Sequence, residues 1–320
     1  MTTHSRHGKR YRHESVTRAD VERARAVLAG RIERTPTFWS GALGVSLKAE
    51  LFQKTGSFKA RGALNRLAAL TPEEKERGVV TWSAGNHAQA VAWAAAETGV
   101  DCLVQMWEGV SPLKVEATRG HGATVDLSAP DPAAAYDRVL AIVEEHGRVF
   151  VHPHSDPFVV AGHGTLALEL LEDVPDLETV VVGTGGGGLI AGIVTALDGR
   201  GRVVGVAPER AQAFPAGLAA GHSVRVETDT IADGLAPPFA GELALEICRG
   251  QVETVLVTEE EIAAGMRFLY ERAKLACEPA AAAAAGAVLA GKVAAVPGTA
   301  VIVSGGNVEP QQAAAILRGQ

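Results

Sequence analysis

The stretch Thr179-Val180-Val181-Val182-Gly183-Thr184-Gly185-Gly186-Gly187-Gly188-Leu189-Ile190-Ala191-Gly192 runs from a β-branched strand through a glycine turn into an apolar helix. That order is the strand-turn-helix step of an α/β fold. Glycines in series let several backbone N–H groups approach one anion. The helix start adds about half a positive charge, so a phosphate fits here without a basic side chain. Gly183, Gly185 and Gly188 also spell G-x-G-x-x-G, and Glu209 lies near the spacing of a ribose-binding acid, so a dinucleotide reading stands beside the phosphate reading. A tight turn that binds nothing is the third alternative, and the conformational cost of four adjacent glycines weighs against it.

On either side, short β-branched runs alternate with helical stretches of about a dozen residues. Val79–Trp82, Cys102–Met106, Ala123–Leu127 and Val149–His152 predict one four-stranded unit, and Thr179–Val182, Val203–Val206, Thr254–Val257 and Ala300–Val303 predict a second. The expected fold class is α/β, with two open, mainly parallel twisted sheets and flanking helices. Ser128–Pro132 reads as a loop by its prolines, Asp156-Pro157 as the return into the second unit, and Glu278-Pro279 as the start of a helix through Ala280–Ala285.

At 320 residues the chain has room for about two domains, and 47% hydrophobic with 21% charged residues excludes a disordered or fibrous protein. No apolar run approaches the ~20 residues of a bilayer crossing, and the N-terminus has no apolar leader segment, so a cytoplasmic protein with no membrane partner is expected. Cys102, Cys248 and Cys277 show no metal or redox spacing and read as buried reduced thiols. A net charge of −7 offers no cationic surface for nucleic acid. The one basic cluster, Arg6, Lys9, Arg10 and Arg12 with His4, His7 and His13, reads as a solvated terminus.

Three further motifs carry candidate chemistry. In Gln53-Lys54-Thr55-Gly56-Ser57-Phe58-Lys59-Ala60-Arg61-Gly62-Ala63, Lys59 falls among Phe58, Ala60 and Ala63 at a helix start. Desolvation and the positive helix end there depress an ammonium pKa and favour a nucleophilic amine; a solvated helix lysine is the alternative. Ser83-Ala84-Gly85-Asn86-His87-Ala88-Gln89 follows a strand and exposes a hydroxyl, a side-chain amide and a row of N–H groups at a strand's C-terminal end, which suits a carboxylate. His87 reads as a packing histidine rather than a base, because the sequence supplies no orienting partner. Ser304-Gly305-Gly306-Asn307 follows the last strand and presents one more hydroxyl, or is an ordinary glycine-rich loop.

Together these motifs resemble the pyridoxal-phosphate enzymes of fold type II, in the threonine dehydratase and serine racemase branch. The resemblance runs from about Val16 and takes in Arg34-Thr35-Pro36, Thr230-Ile231-Ala232-Asp233-Gly234 and Glu278-Pro279. It implies that Lys59 carries pyridoxal 5′-phosphate as the catalytic lysine and that Gly185, Gly186, Gly187 and Gly188 cradle the phosphate. Asn86 then faces the 3′-oxygen and Ser304 the pyridine nitrogen. The substrate carboxylate falls to Ser83, Ala84, Gly85, Asn86 and His87, with Ser83 and the amides of Asn86 and His87 as its donors. It implies a large domain at 1–77 and 153–320, a small domain at 78–152, the cofactor between them, and a homodimer.

Within that branch, Thr-Gly-Ser-Phe-Lys-Ala-Arg-Gly around Lys59 favours dehydratases of β-hydroxy amino acids, most of all L-threonine or L-serine, with 3-hydroxyaspartate as an alternative substrate. Racemases of the branch carry a second serine where this chain has Ala84, and its hydroxyl can deliver a proton to the face of the substrate α-carbanion opposite the lysine; without an acid on that face, dehydration is expected over racemisation. Ala207 and Ala213 stand where metal-binding relatives place acidic ligands, so no metal is expected. The chain's end at Gln320 fits the short, catabolic type without a regulatory domain. An NAD-dependent oxidoreductase and a non-catalytic binder on the same scaffold are the rivals from other classes.

Overall fold

The computed structural model describes residues 15–319, so the basic cluster from His4 to His13 lies outside the described residues. Ten strands form two sheets: β1 Thr37–Ser40, β2 Val45–Ala49, β3 Val79–Trp82, β4 Cys102–Trp107, β5 Thr124–Ala129, β6 Val149–Phe150, β7 Thr179–Gly183, β8 Arg202–Pro208, β9 Glu253–Val257 and β10 Thr299–Val303. The larger sheet has the order β1-β2-β10-β7-β8-β9 and is parallel except for the β1–β2 pair. The smaller sheet, β5-β4-β3-β6, is parallel throughout.

All eight expected strands are present, which gives the two mainly parallel sheets of the expected α/β class. Two details differ. The larger sheet gains β1 and β2, short strands whose apolar runs are too brief to stand out. The loop expected from Ser128 begins later, because β5 continues to Ala129, whose carbonyl accepts the Glu108 N–H at 2.8 Å beyond a register shift between Gln105 and Trp107. Asp131 then caps the Pro132–His146 helix by accepting the Ala134 N–H at 2.8 Å.

The valines of β7 are buried on both faces, as helix-covered parallel strands require. Val180, Val182 and Ile302 pack toward the Pro157–Asp173 and Gly188–Leu197 helices. Val181, Val204 and Val301 pack toward the Pro279–Leu289 helix, whose run Ala280–Ala285 is buried. Asp156 starts the Pro157–Asp173 helix by accepting the Phe158 and Val159 N–H groups at 2.8 and 3.2 Å. The Lys59–Ala68 helix places Ala63, Leu64 and Leu67 in the apolar cluster of the smaller sheet with Val91 and Val104. The C-terminal ends of β3, β7 and β10 lead into the Ser83, Gly183 and Ser304 turns, and these turns line one cleft.

Candidate active site

The cleft has a volume of about 1090 Å³, and Lys59, the Ser83–His87 turn, the Gly183–Gly188 turn and Ser304 all line it. Four motifs spread over 246 positions of the sequence therefore meet at one place.

Lys59 opens the Lys59–Ala68 helix, and its partly buried Nζ donates to the Pro153 carbonyl at 2.8 Å. Burial lowers its ammonium pKa from the ordinary 10.5 to about 8, with the Glu278 carboxylate pulling the other way. Two residues on, Arg61 is fully buried and anchors the helix. Its Nε and Nη2 donate to Glu50 at 2.8 Å each, and its Nη1 donates to Glu169 at 2.7 Å. Lys48, also buried, completes the cluster by donating to Glu169 at 2.7 Å and to the Thr35 carbonyl at 2.8 Å.

The glycine turn presents free donors. Among the described residues, none of the N–H groups of Gly185, Gly186, Gly187 and Gly188 has a protein acceptor, and the turn opens the Gly188–Leu197 helix. Gly187 has φ 90°, a left-handed position that disfavours any side chain. At Gly185 a Cβ would lie 2.8 Å from Pro237 Cδ, so packing demands glycine there as well. Unpaired amides at a helix N-terminus on a cleft fit an anionic phosphate.

At the end of β3, the Gly85 N–H donates to Ser83 Oγ at 3.1 Å, and open space lies where a Gly85 side chain would stand. Asn86 Nδ2 donates to both Glu278 carboxylate oxygens, at 2.8 and 3.0 Å, and Asn86 Oδ1 accepts from Asn307 Nδ2 at 2.7 Å. His87 is buried with Nε2 3.0 Å from the Val151 carbonyl, which fixes the Nε2–H tautomer, and burial holds the ring neutral. The Val151 carbonyl is an orienting partner invisible in the sequence. Ser304 is buried at the end of β10, where its carbonyl accepts the Phe58 N–H at 3.0 Å and so ties this turn to the residue before Lys59.

Two site residues escape sequence reasoning. Glu278 reads as a helix cap, yet its side chain caps nothing; it lies buried beside Asn86, and burial raises its carboxyl pKa to about 7. His154 is buried between the glycine turn and the loop ending at Gly241. Glu209 is exposed after β8, while Ala207 and Ala213 are buried. Among the described residues, no group of three or more His, Cys, Asp or Glu side chains is arranged to hold a metal.

A family profile described as pyridoxal-phosphate dependent enzyme matches residues 28–305. The chain belongs to this family. The dinucleotide reading is thereby overturned, and the free amides at Gly185–Gly188 suit the phosphate of the family's cofactor, pyridoxal phosphate. This pyridoxal-phosphate enzyme is 42% identical to the L-threonine ammonia-lyase of Thermotoga maritima over 92% of this chain and 76% of that protein. It is 41% identical to the catabolic L-threonine dehydratase of Escherichia coli K12, over 91% of this chain and 92% of that protein. Among solved structures, maize serine racemase superposes with a TM-score of 0.88 at 33% identity, covering 93% of this chain and 95% of that one. The T.th. threonine deaminase superposes with a TM-score of 0.85 at 38% identity, covering 92% of this chain and 99% of that one.

Proposed function

We propose that this enzyme is an ammonia-lyase that dehydrates and deaminates a β-hydroxy amino acid, L-threonine, L-serine or both, to a 2-oxoacid and ammonia. The observation that carries the proposal is the Lys59 amine, its pKa lowered to about 8, in one cleft with the unpaired amides of the glycine turn. The relatives named for threonine ammonia-lyase and dehydratase activity at about 40% identity support the same reading.

The roles follow from position. Gly185 to Gly188 would hold the cofactor phosphate and Lys59 its reactive end until a substrate amine takes the place of Lys59, with Asn86 and Ser304 lining the seat from two turns. When bound, pyridoxal phosphate supplies an electron sink that makes the α-proton of an amino acid removable. Lys59, half neutral near pH 8, takes that proton. Ser83 Oγ with the N–H groups of Asn86 and His87, which have no protein acceptor among the described residues, grips the substrate carboxylate. Ala84 has no proton to deliver, which favours elimination over inversion, although the fold is shared with serine racemases.

The domain division at 1–77, 78–152 and 153–320, a homodimer and a cytoplasmic location belong to the same proposal. Among the described residues no helix is long and apolar enough to cross a membrane. The test is 2-oxoacid release from threonine, serine, 3-hydroxyaspartate and bulkier β-hydroxy amino acids, with Lys59→Ala as control. Release from threonine or serine that vanishes in the variant is expected. Unchanged turnover in Lys59→Ala, or release from none of the panel, refutes the proposal.

A further inference from the structure

His154 is 5% exposed and lines the cleft directly after Pro153, whose carbonyl holds the Lys59 amine. The ring is pressed against the glycine turn: a Cβ on Gly186 would lie 2.5 Å from His154 Nδ1, and one on Gly188 would lie 2.9 Å from His154 Cα. Neither ring nitrogen has a protein hydrogen-bond partner among the described residues, but the two differ. Nε2 is sealed from solvent, whereas Nδ1 is not, and Nδ1 is the ring nitrogen that lies against Gly186 on the cleft wall. Burial, with His152 and Lys59 nearby, keeps the ring neutral, so a single proton must choose between the nitrogens. On Nε2 it would be a buried donor without an acceptor. On Nδ1 it faces the cleft beside Gly186, and Nε2 keeps only a lone pair in its dry environment, the less costly arrangement.

We propose that His154, as the Nδ1–H tautomer, donates a hydrogen bond to the phosphate seated on the Gly185–Gly188 amides, as a side-chain ligand in an otherwise main-chain site. The inference rests on the phosphate seat assigned to this turn and adds a residue to it. A neutral donor suits a site that already has the helix N-terminus to balance the anion, because it adds direction without further charge.

The cofactor-free full-length protein, unaltered and as His154→Leu and His154→Gln, is titrated separately with pyridoxal 5′-phosphate and with pyridoxal, which lacks the phosphate. The expected result is about tenfold or greater weakening for pyridoxal phosphate in the leucine variant, the range of a hydrogen bond to a charged acceptor, with pyridoxal unaffected. Glutamine, which restores an N–H donor, recovers most of the loss. Equal affinity in all three proteins, equal weakening for both ligands, or glutamine no better than leucine overturns the proposal. Where the leucine variant does not fold, the ¹⁵N resonances of His154 in the unaltered holoprotein decide it: Nδ1–H is expected, and an Nε2–H ring refutes it. Failure of the unaltered protein to take up pyridoxal phosphate overturns the phosphate seat as well, whereas normal uptake by every variant overturns the role of His154 alone.

Discussion

Replacing Lys59 by methionine removes the amine on which the proposed reaction depends, and it is expected to make the cofactor-free protein more stable at neutral pH. Burial moves the Lys59 pKa from 10.5 to about 8. At about 1.36 kcal/mol per unit, keeping the ammonium in the fold costs roughly 3 kcal/mol. Between pH 8 and the unfolded value the unfolded chain binds the extra proton, so stability of the parent rises with pH over that window. The cost is fully present below the window and absent above it. Methionine keeps an unbranched apolar stem but leaves the Pro153 carbonyl without its 2.8 Å donor, a loss of about 1–2 kcal/mol at every pH. The variant should therefore be more stable by about 1–2 kcal/mol below pH 8 and less stable by a similar amount above pH 10.5, with the sign changing between. With an unfolding entropy of roughly 2.1 cal/mol/K per residue, the difference at pH 7 is a thermal midpoint about 2–3 °C above the parent. Calorimetric midpoints of the two cofactor-free proteins, measured in parallel from pH 6 to 10.5, check this. A methionine variant less stable than the parent at pH 7, or a difference that does not change with pH, refutes the argument.

Amine-directed labelling of the cofactor-free protein, read by peptide mass spectrometry from pH 6 to 11, should show Lys59 half-reactive near pH 8, and a midpoint above 10 would contradict its desolvation. Ala84→Ser should raise formation of the D-amino acid about a hundredfold by supplying a proton donor to the face opposite Lys59, measured by chiral chromatography; no gain would show that the missing acid is not what limits inversion. Arg61→Met should cost about 3–5 kcal/mol, because Glu50 and Glu169 lose their shared buried counter-charge, and a thermal midpoint within a degree of the parent would show that the cluster is not what anchors the helix. Burial pushes the Cys102 and Cys277 thiols up to about 12 and raises Cys248 further, so a disulfide reagent at pH 8 should modify none of the three until the protein unfolds.

The eight core strands were legible because each is a β-branched run bounded by turn residues, and strands buried on both faces carry little else. β2 escaped for the opposite reason. Its sequence Val45-Ser46-Leu47-Lys48-Ala49 contains a lysine that looks solvated, yet Lys48 is fully buried because Glu169, 121 positions away, meets it. Glu278 was hidden in the same way, since its place beside Asn86 depends on a contact across 192 positions that no local pattern encodes. Lys59 and the glycine turn could be singled out because their chemistry is local: an amine among apolar neighbours, and consecutive amides at a helix start. Residues defined by what faces them across the cleft, His154 and Glu278 among them, become visible only once the two sheets are brought together.

The way the two sides of the cleft are joined matches what each must do. The Pro157–Asp173 helix meets the Lys59–Ala68 helix on one flank, where a Cβ on Gly162 would lie 2.6 Å from the Arg61 carbonyl and one on Gly62 would lie 2.6 Å from the Val159 carbonyl. On its other flank it meets the Gly188–Leu197 helix, where a Cβ on Gly164 would lie 2.6 Å from the Gly192 carbonyl. Backbone meets backbone at each contact, joined at Gly62 by the His163 ring, whose Nε2 would lie 2.5 Å from a Cβ there, so the spacing between the Lys59 amine and the glycine turn is set chiefly by main chain. Arg61, bound to Thr165 and Glu169 of the same Pro157–Asp173 helix, resists rotation of the lysine helix. Across the mouth of the cleft the joint is of another kind. Lys114 Nζ meets the half-exposed Asp233 at 2.5 Å. Contacts between side-chain tips can part without unpacking a helix, whereas the glycine-to-backbone contacts cannot. A cofactor that stays bound needs the first kind of joint, and a substrate that enters and leaves at every turnover needs the second.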